Sequence, residues 1–410
     1  MRRLVFAAAL LAVAVAAVPF RGRSEQPLPN PASTIAAFNF QANSACTPPT
    51  QMASSPEQTA WQIFVAATCP VNNNQYPYVV WENWIEQAQL YPGSPSATAE
   101  KSTPQRFHGS PLTNITRSRK GVRQALPQGA NDNCNKATHP PKDDPNRILC
   151  EEVRLNSDSQ SYITTNSLQI RSPNGQQQFA QSNTFDFPGP SVEIKADWIQ
   201  LTSCDSQNVK GVHVENINGT CYALAGMHLI SKLTTNWLWA TFEPQNLWSN
   251  PDRCVVLGCN DPYGSNPAQT HGGPNGNTQL TQSLQSLMQQ ANLAPEWLNY
   301  RLDGTQTAFV NSNGKPTLLG NSIIEWENAG VPLTQASCIT CHDVSSINKQ
   351  TGEDGSHLLK SAPVGNPKPL PSSAWVRRDF VWSLALACPD SQFQNCGPSS
   401  SGKVTRKKKK

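Results

Sequence analysis

Cys338, Cys341 and His342 stand in the run Ser-Cys-Ile-Thr-Cys-His-Asp, a Cys-x-x-Cys-His arrangement. Thiols three residues apart lie on one short helical turn. Two such thiols can each add across one vinyl group of a haem, and the histidine that follows is then placed to hold the iron. This is the attachment chemistry of c-type haem. A thioredoxin-like redox pair would use the two thiols but not His342, and it would need a surrounding βαβ pattern that the chain lacks. A disulfide between Cys338 and Cys341 is the third reading.

The other ten cysteines, at 46, 69, 134, 150, 204, 221, 254, 259, 388 and 396, fall into sequential neighbours. The most economical pairing is 46/69, 134/150, 204/221, 254/259 and 388/396, which suits an oxidising compartment. Structural zinc has little support, because no second Cys-x-x-Cys pair exists. Compartment is also indicated at the start of the chain. Arg2 and Arg3 precede fifteen apolar residues, 4–18, which end with small residues at Val15-Ala16-Ala17. That length suits a cleaved signal peptide, 1–17, and falls short of the roughly 20 residues that span a bilayer. The expected location is periplasmic or secreted, and the mature chain is not an integral membrane protein.

The chain has 410 residues, of which 37% are hydrophobic and 15% charged, with 34 Pro and 24 Gly. It is long enough to bury a large core. Its net charge of +4 is too small to force disorder. Without Arg2, Arg3 and the six cations of the last eight residues, that +4 becomes −4. Nucleic-acid binding is therefore not expected, and the Lys-rich end, 396–410, reads as a flexible basic tail able to touch an anionic surface.

The second iron ligand is the open question. Small c-type cytochromes place a Met downstream of their motif, but the four Met here are 1, 52, 227 and 288, all upstream. Met227 is the first choice. His228 is the alternative, and the two point to opposite faces of a strand-like run, so at most one can face the iron. Met288 belongs to a helical apolar stripe. Lys232 is a candidate cation for a haem propionate. Trp237, Trp239, Trp326 and Trp382 read as core residues that could line a haem crevice. His108, His139, His213 and His271 read as surface or loop residues.

Elements must position these groups. Residues 57–68 have a helical apolar face and 278–293 a helical stripe. Segments 191–198, 211–215, 221–232 and 237–243 alternate as strands, and 300–310 with 317–326 flank a hairpin turn at 311–315. Residues 91–147 carry little periodicity. The fold class expected is α+β: a β-rich irregular domain with short helices and a late haem-attachment helix. The expected division is 18–184 as a loop-rich N-terminal region and 185–395 as a haem-bearing region.

Through Cys338, Cys341 and His342 the chain resembles c-type cytochromes. Through segments 192–198, 226–232, 237–243, 300–306 and 379–383 it resembles large exported bacterial proteins of the cytochrome c family that carry one such motif late in the chain. The resemblance implies one covalent haem c, bound by Cys338, Cys341 and His342, and one-electron transfer to a redox partner protein. A haem-dependent oxidoreductase with an open distal site, peroxidase- or oxygenase-like, is the alternative. A structural or cell-surface protein with incidental haem is the third.

Overall fold

Alternating apolar side chains along 192–244 build the middle of one antiparallel sheet. In the computed structural model, residues 43–71, 79–91, 134–204, 209–217, 220–248, 250, 252–272, 276–359 and 361–389 are described. The leader 1–17, His108, Cys396 and the tail lie outside them. The elements used below are α1 (Pro56–Ala67), β1 (Ile85–Glu86), α2 (Gln87–Leu90), β2 (Cys134–Lys136), β3 (Ile148–Leu155), β4 (Ile170–Ser172), β5 (Val192–Leu201), β6 (Val214–Ile217), β7 (Thr220–Ser231), β8 (Leu238–Pro244), α3 (Gln282–Gln290), β9 (Tyr300–Gln306) and α4 (Cys338–Asp343). The sheet runs β1-β3-β5-β7-β8-β9, with β2 on β3 and β6 on β7, while β4 lies off it. The architecture is the expected β-rich α+β class.

One face of the sheet carries the main core. Ile194, Ala196, Trp198, Leu224, Met227, Leu229, Ala240 and Phe242 pack there against α1 and α3. Helix α1 starts cleanly: the Ser55 hydroxyl accepts from the Gln58 N–H, and Pro56 follows where a missing N–H costs nothing. Its Phe64 ring stacks on Phe242 at 4.5 Å, a contact worth about 0.5–1.5 kcal/mol beyond its area. The other face is covered by a π-helix, Ser322–Ala329, by α4 and by the segments that follow it.

Two features of this sheet were hidden in the sequence. The first is β3, which joins the sheet beside β5 although it lies within the region expected to be loop-rich. The sheet therefore runs across the boundary at 184/185, with the described residues on both sides of it in one compact unit. The second is a bulge. Asp197 faces Gly226 and Trp198 faces Leu224, so Ala225 is an extra residue in β7. Strict alternation would group Met227 with Ala223 and Ala225, whereas the bulge places it with Tyr222 and Leu224. Gly226 suits the site because a Cβ there would lie 2.8 Å from Asn321 Oδ1.

The expected hairpin is real only at its tip, where Val310 bridges Pro316. Its second arm does not continue as a strand. Asn321 caps the π-helix instead, its side-chain oxygen accepting from the N–H groups of Ile323 and Ile324. Four of the five expected disulfides are present: 46–69, 134–150, 204–221 and 254–259. The fifth, 388–396, involves Cys396 and lies outside the described residues. Among the described residues, no helix is long and apolar enough to cross a membrane.

Candidate functional site

Helix α4 has only six residues and could not hold itself together in water. Gln306 at the end of β9 fixes its first turn. The Gln306 side-chain oxygen accepts from the Ile339 N–H at 2.9 Å, and its amide donates to Ser337 Oγ at 3.0 Å. Thr340 Oγ1 donates to the Gly365 carbonyl. At the other end Arg377 grips Asp343 through both carboxylate oxygens, at 2.7 and 3.0 Å. The thiols of Cys338 and Cys341 are thus carried on a turn pinned at both ends, and neither is in a disulfide.

His342 is oriented by the chain that returns after it. Its Nδ1 lies 2.7 Å from the Phe380 carbonyl oxygen, so Nδ1 carries the proton and donates, leaving the lone pair on Nε2. Asp379 and Phe380 hold that carbonyl in place with φ of 50° and 68°, a conformation that non-glycine residues rarely adopt. The Asp379 carboxylate is anchored by Lys232 Nζ at 2.7 Å and the Phe187 N–H at 2.8 Å. Burial pushes the His342 imidazole down to about 3, so it is neutral at physiological pH. Burial likewise pushes the Cys338 thiol well up.

Both thiols and His342 border a cavity of about 1000 Å3, its open mouth included. Its floor is the second face of the sheet, in two rows. Val153, Lys195 and His228 lie side by side on β3, β5 and β7, and Glu193, Ile230 and Trp239 form the next row on β5, β7 and β8. Trp239 lies 4.6 Å from the His342 ring. Glu325 of the π-helix overhangs the floor, and Leu359, Trp382 and Ser383 close the far side.

The charges inside are few and specific. Lys195 pairs with Glu151 at 2.8 Å, and although burial opposes it, the neighbouring carboxylates hold the ammonium charged. Burial pushes Glu193 up to about 7 against the pull of Ser383 and Lys195. His228 Nε2 lies 3.0 and 3.1 Å from the two oxygens of Glu325. Burial raises the Glu325 carboxyl, but His228, Lys195 and the Asn321 N–H outweigh that and leave it below its usual value.

The donor set fits a haem c group. Two unbridged thiols and an imidazole with one lone pair exposed to the cavity stand over apolar walls. Among the described lining residues, three buried polar atoms, Glu193 Oε2, His228 Nδ1 and Ser383 Oγ, have no hydrogen-bond partner. Natural interiors rarely leave such atoms unmet, so these are the lining groups with bonding capacity to spare.

The structure also sorts the sequence candidates. Met227 is wholly buried in the core on the opposite face of the sheet from Cys338, Cys341 and His342, between α1 and β8, so it does not reach the cavity. Its neighbour His228 does. Met288 packs in the same core as Met227. Lys232 is not at the cavity but ion-paired with Asp186 and Asp379, and Lys195 is the cation that borders it. Trp239 and Trp382 line it, while Trp326 stacks on His139. His213 is buried against Glu82, Glu215 and Trp297 rather than at the surface. Lys195, Glu193 and Glu325 were not singled out from sequence. In β5 the charged residues 193, 195 and 197 alternate with apolar ones, which reads as a strand with one wet face.

No family model matches the chain, and neither a curated protein nor a solved structure is similar to it.

Proposed function

We propose that the chain is an exported monohaem c-type cytochrome that transfers single electrons to and from a redox partner protein. The observation that carries this reading is the meeting of Cys338, Cys341 and a neutral, carbonyl-oriented His342 at one apolar cavity. Cys338 and Cys341 would hold the group through thioether bonds, and His342 Nε2 would bind its iron. When bound, the haem supplies an Fe(III)/Fe(II) couple. The chain's own part is electrostatic and steric. The Phe380 carbonyl fixes which nitrogen of His342 is bare, and Trp239, Ile230 and Trp382, which line the cavity, would exclude water from a group bound there. Lys195 supplies a positive charge able to face a carboxylate edge. The four disulfides and the basic, apolar leader support an oxidising compartment outside the cytoplasm.

The test is direct. Protein produced with cytochrome c maturation should keep one haem per chain after acidic acetone extraction. The Cys338→Ser, Cys341→Ser double variant should release all of its pigment. Complete extraction of pigment from the wild type refutes the reading.

A further inference from the structure

The two histidines of the cavity share a pattern. Metal-binding histidines almost always give one ring nitrogen to a carbonyl or carboxylate and offer the other to the metal. His342 gives Nδ1 to the Phe380 carbonyl and keeps Nε2. His228 gives Nε2 to the Glu325 carboxylate, and its Nδ1 is buried without a partner. Both residues line the same cavity, His342 from α4 and His228 from the sheet floor.

Of the charged residues beside His228 there, Lys195 and Glu325 are already engaged, and His228 offers the one bare imidazole nitrogen besides that of His342. Lys195 Nζ is ion-paired with Glu151. Glu325 is taken up by His228 and by the Asn321 N–H at 2.7 Å. Neither thioether sulfur of Met227 or Met288 is near, because both side chains pack on the other side of the sheet. His228 as a whole is 9% exposed and its Nδ1 is buried, and such an orphaned nitrogen is costly to bury unless something meets it.

We infer that His228, through the ring nitrogen that Glu325 leaves bare, is the second axial ligand of the haem iron, and that Glu325 is its positioning residue. This inference rests on the haem reading above. Two imidazoles give a six-coordinate iron closed to small ligands, with a lower potential than a His/Met pair. Glu325 makes the His228 ring more electron-rich by accepting its N–H, which lowers the potential further.

The experiment uses full-length, haem-loaded protein. Wild type should show a low-spin spectrum in both oxidation states, with no iron–thioether charge-transfer band and no carbon monoxide binding. His228→Ala should become high-spin and bind carbon monoxide, and added imidazole should restore the low-spin spectrum. Glu325→Gln should stay low-spin with a raised potential. Met227→Leu should leave spectrum and potential unchanged. If His228→Ala keeps the wild-type spectrum while still holding covalent haem, the inference is wrong and the haem reading stands. The inference fails equally if wild type binds carbon monoxide readily, and an oxidoreductase with an open distal site then moves ahead. If wild type holds no covalent haem, the function itself is refuted. Rescue by imidazole separates loss of a ligand from misfolding.

Discussion

Glu193 shows how a single side chain reports the state of the cavity. Its carboxyl is raised from 4.5 to about 7 by burial, so the folded chain holds that proton more tightly than the unfolded chain does. Its contribution to stability is therefore greatest below pH 4.5 and is lost as pH climbs from there through 7. A shift of that size corresponds to about 3 kcal/mol. Glu193→Gln keeps the shape and removes the titration. Unfolding by urea at a series of pH values should show a shallower decline through this window, and a gain of up to about 3 kcal/mol near pH 8. Glu327, also raised to about 7 chiefly by burial, retains its own share of the slope. An unaltered slope in the variant would mean that Glu193 is ionised inside the fold. At this scale the motif residues were legible and their company was not. Cys338, Cys341 and His342 obey a spacing fixed by covalent chemistry, which survives any context. Lys195 and Glu325 act only because distant segments cover them, and nothing local marks that.

Among elements, the bulge in β7 sets what reaches the cavity. Parity along the strand correctly separated Met227 from His228. It could not say which face the late segment 322–383 would cover, since that depends on where the chain returns. Nor did it register Ala225 as an extra residue, which regroups Met227 with Leu224. The close approach of Asn321 to Gly226 ties the bulge to the cap of the π-helix that carries Glu325. Gly226→Ala would drive a methyl group against Asn321 Oδ1 and the Ile324 side chain. Overpacking of this kind costs about 1–3 kcal/mol. Chemical denaturation should show that loss, and the haem spectrum should shift as Glu325 is displaced from His228. A variant as stable as wild type would show that the π-helix yields freely. The strands with strong alternation were readable, but β3 was not, because both of its faces are buried and Glu151, Glu152 and Arg154 interrupt its apolar pattern.

On the scale of the whole molecule, the cavity is assembled from residues as far apart in the chain as Gln87 and Ser383. Roughly the first half of the described chain supplies α1 for the core and β3 for the floor. A fragment covering 185–395 would therefore expose the edge of β5 where β3 belongs and the core face that α1 covers. Expressed alone with cytochrome c maturation, it should be aggregated or degraded and yield no soluble haem protein. Recovery of a soluble, low-spin haem fragment would show that the sheet closes without its first strands. No Met lies downstream of the motif, so on the function proposed above the sheet itself would provide the second wall.

Ten of the twelve cysteines then divide by reactivity as well as by place. Thiol exchange proceeds through the thiolate, and in the closed cavity burial keeps the Cys338 thiol protonated. The segment that closes the far wall, with Leu359, Trp382 and Ser383, follows the motif in the chain. Burial thus lowers the thiolate share of Cys338, while eight other cysteines are already tied in four disulfides.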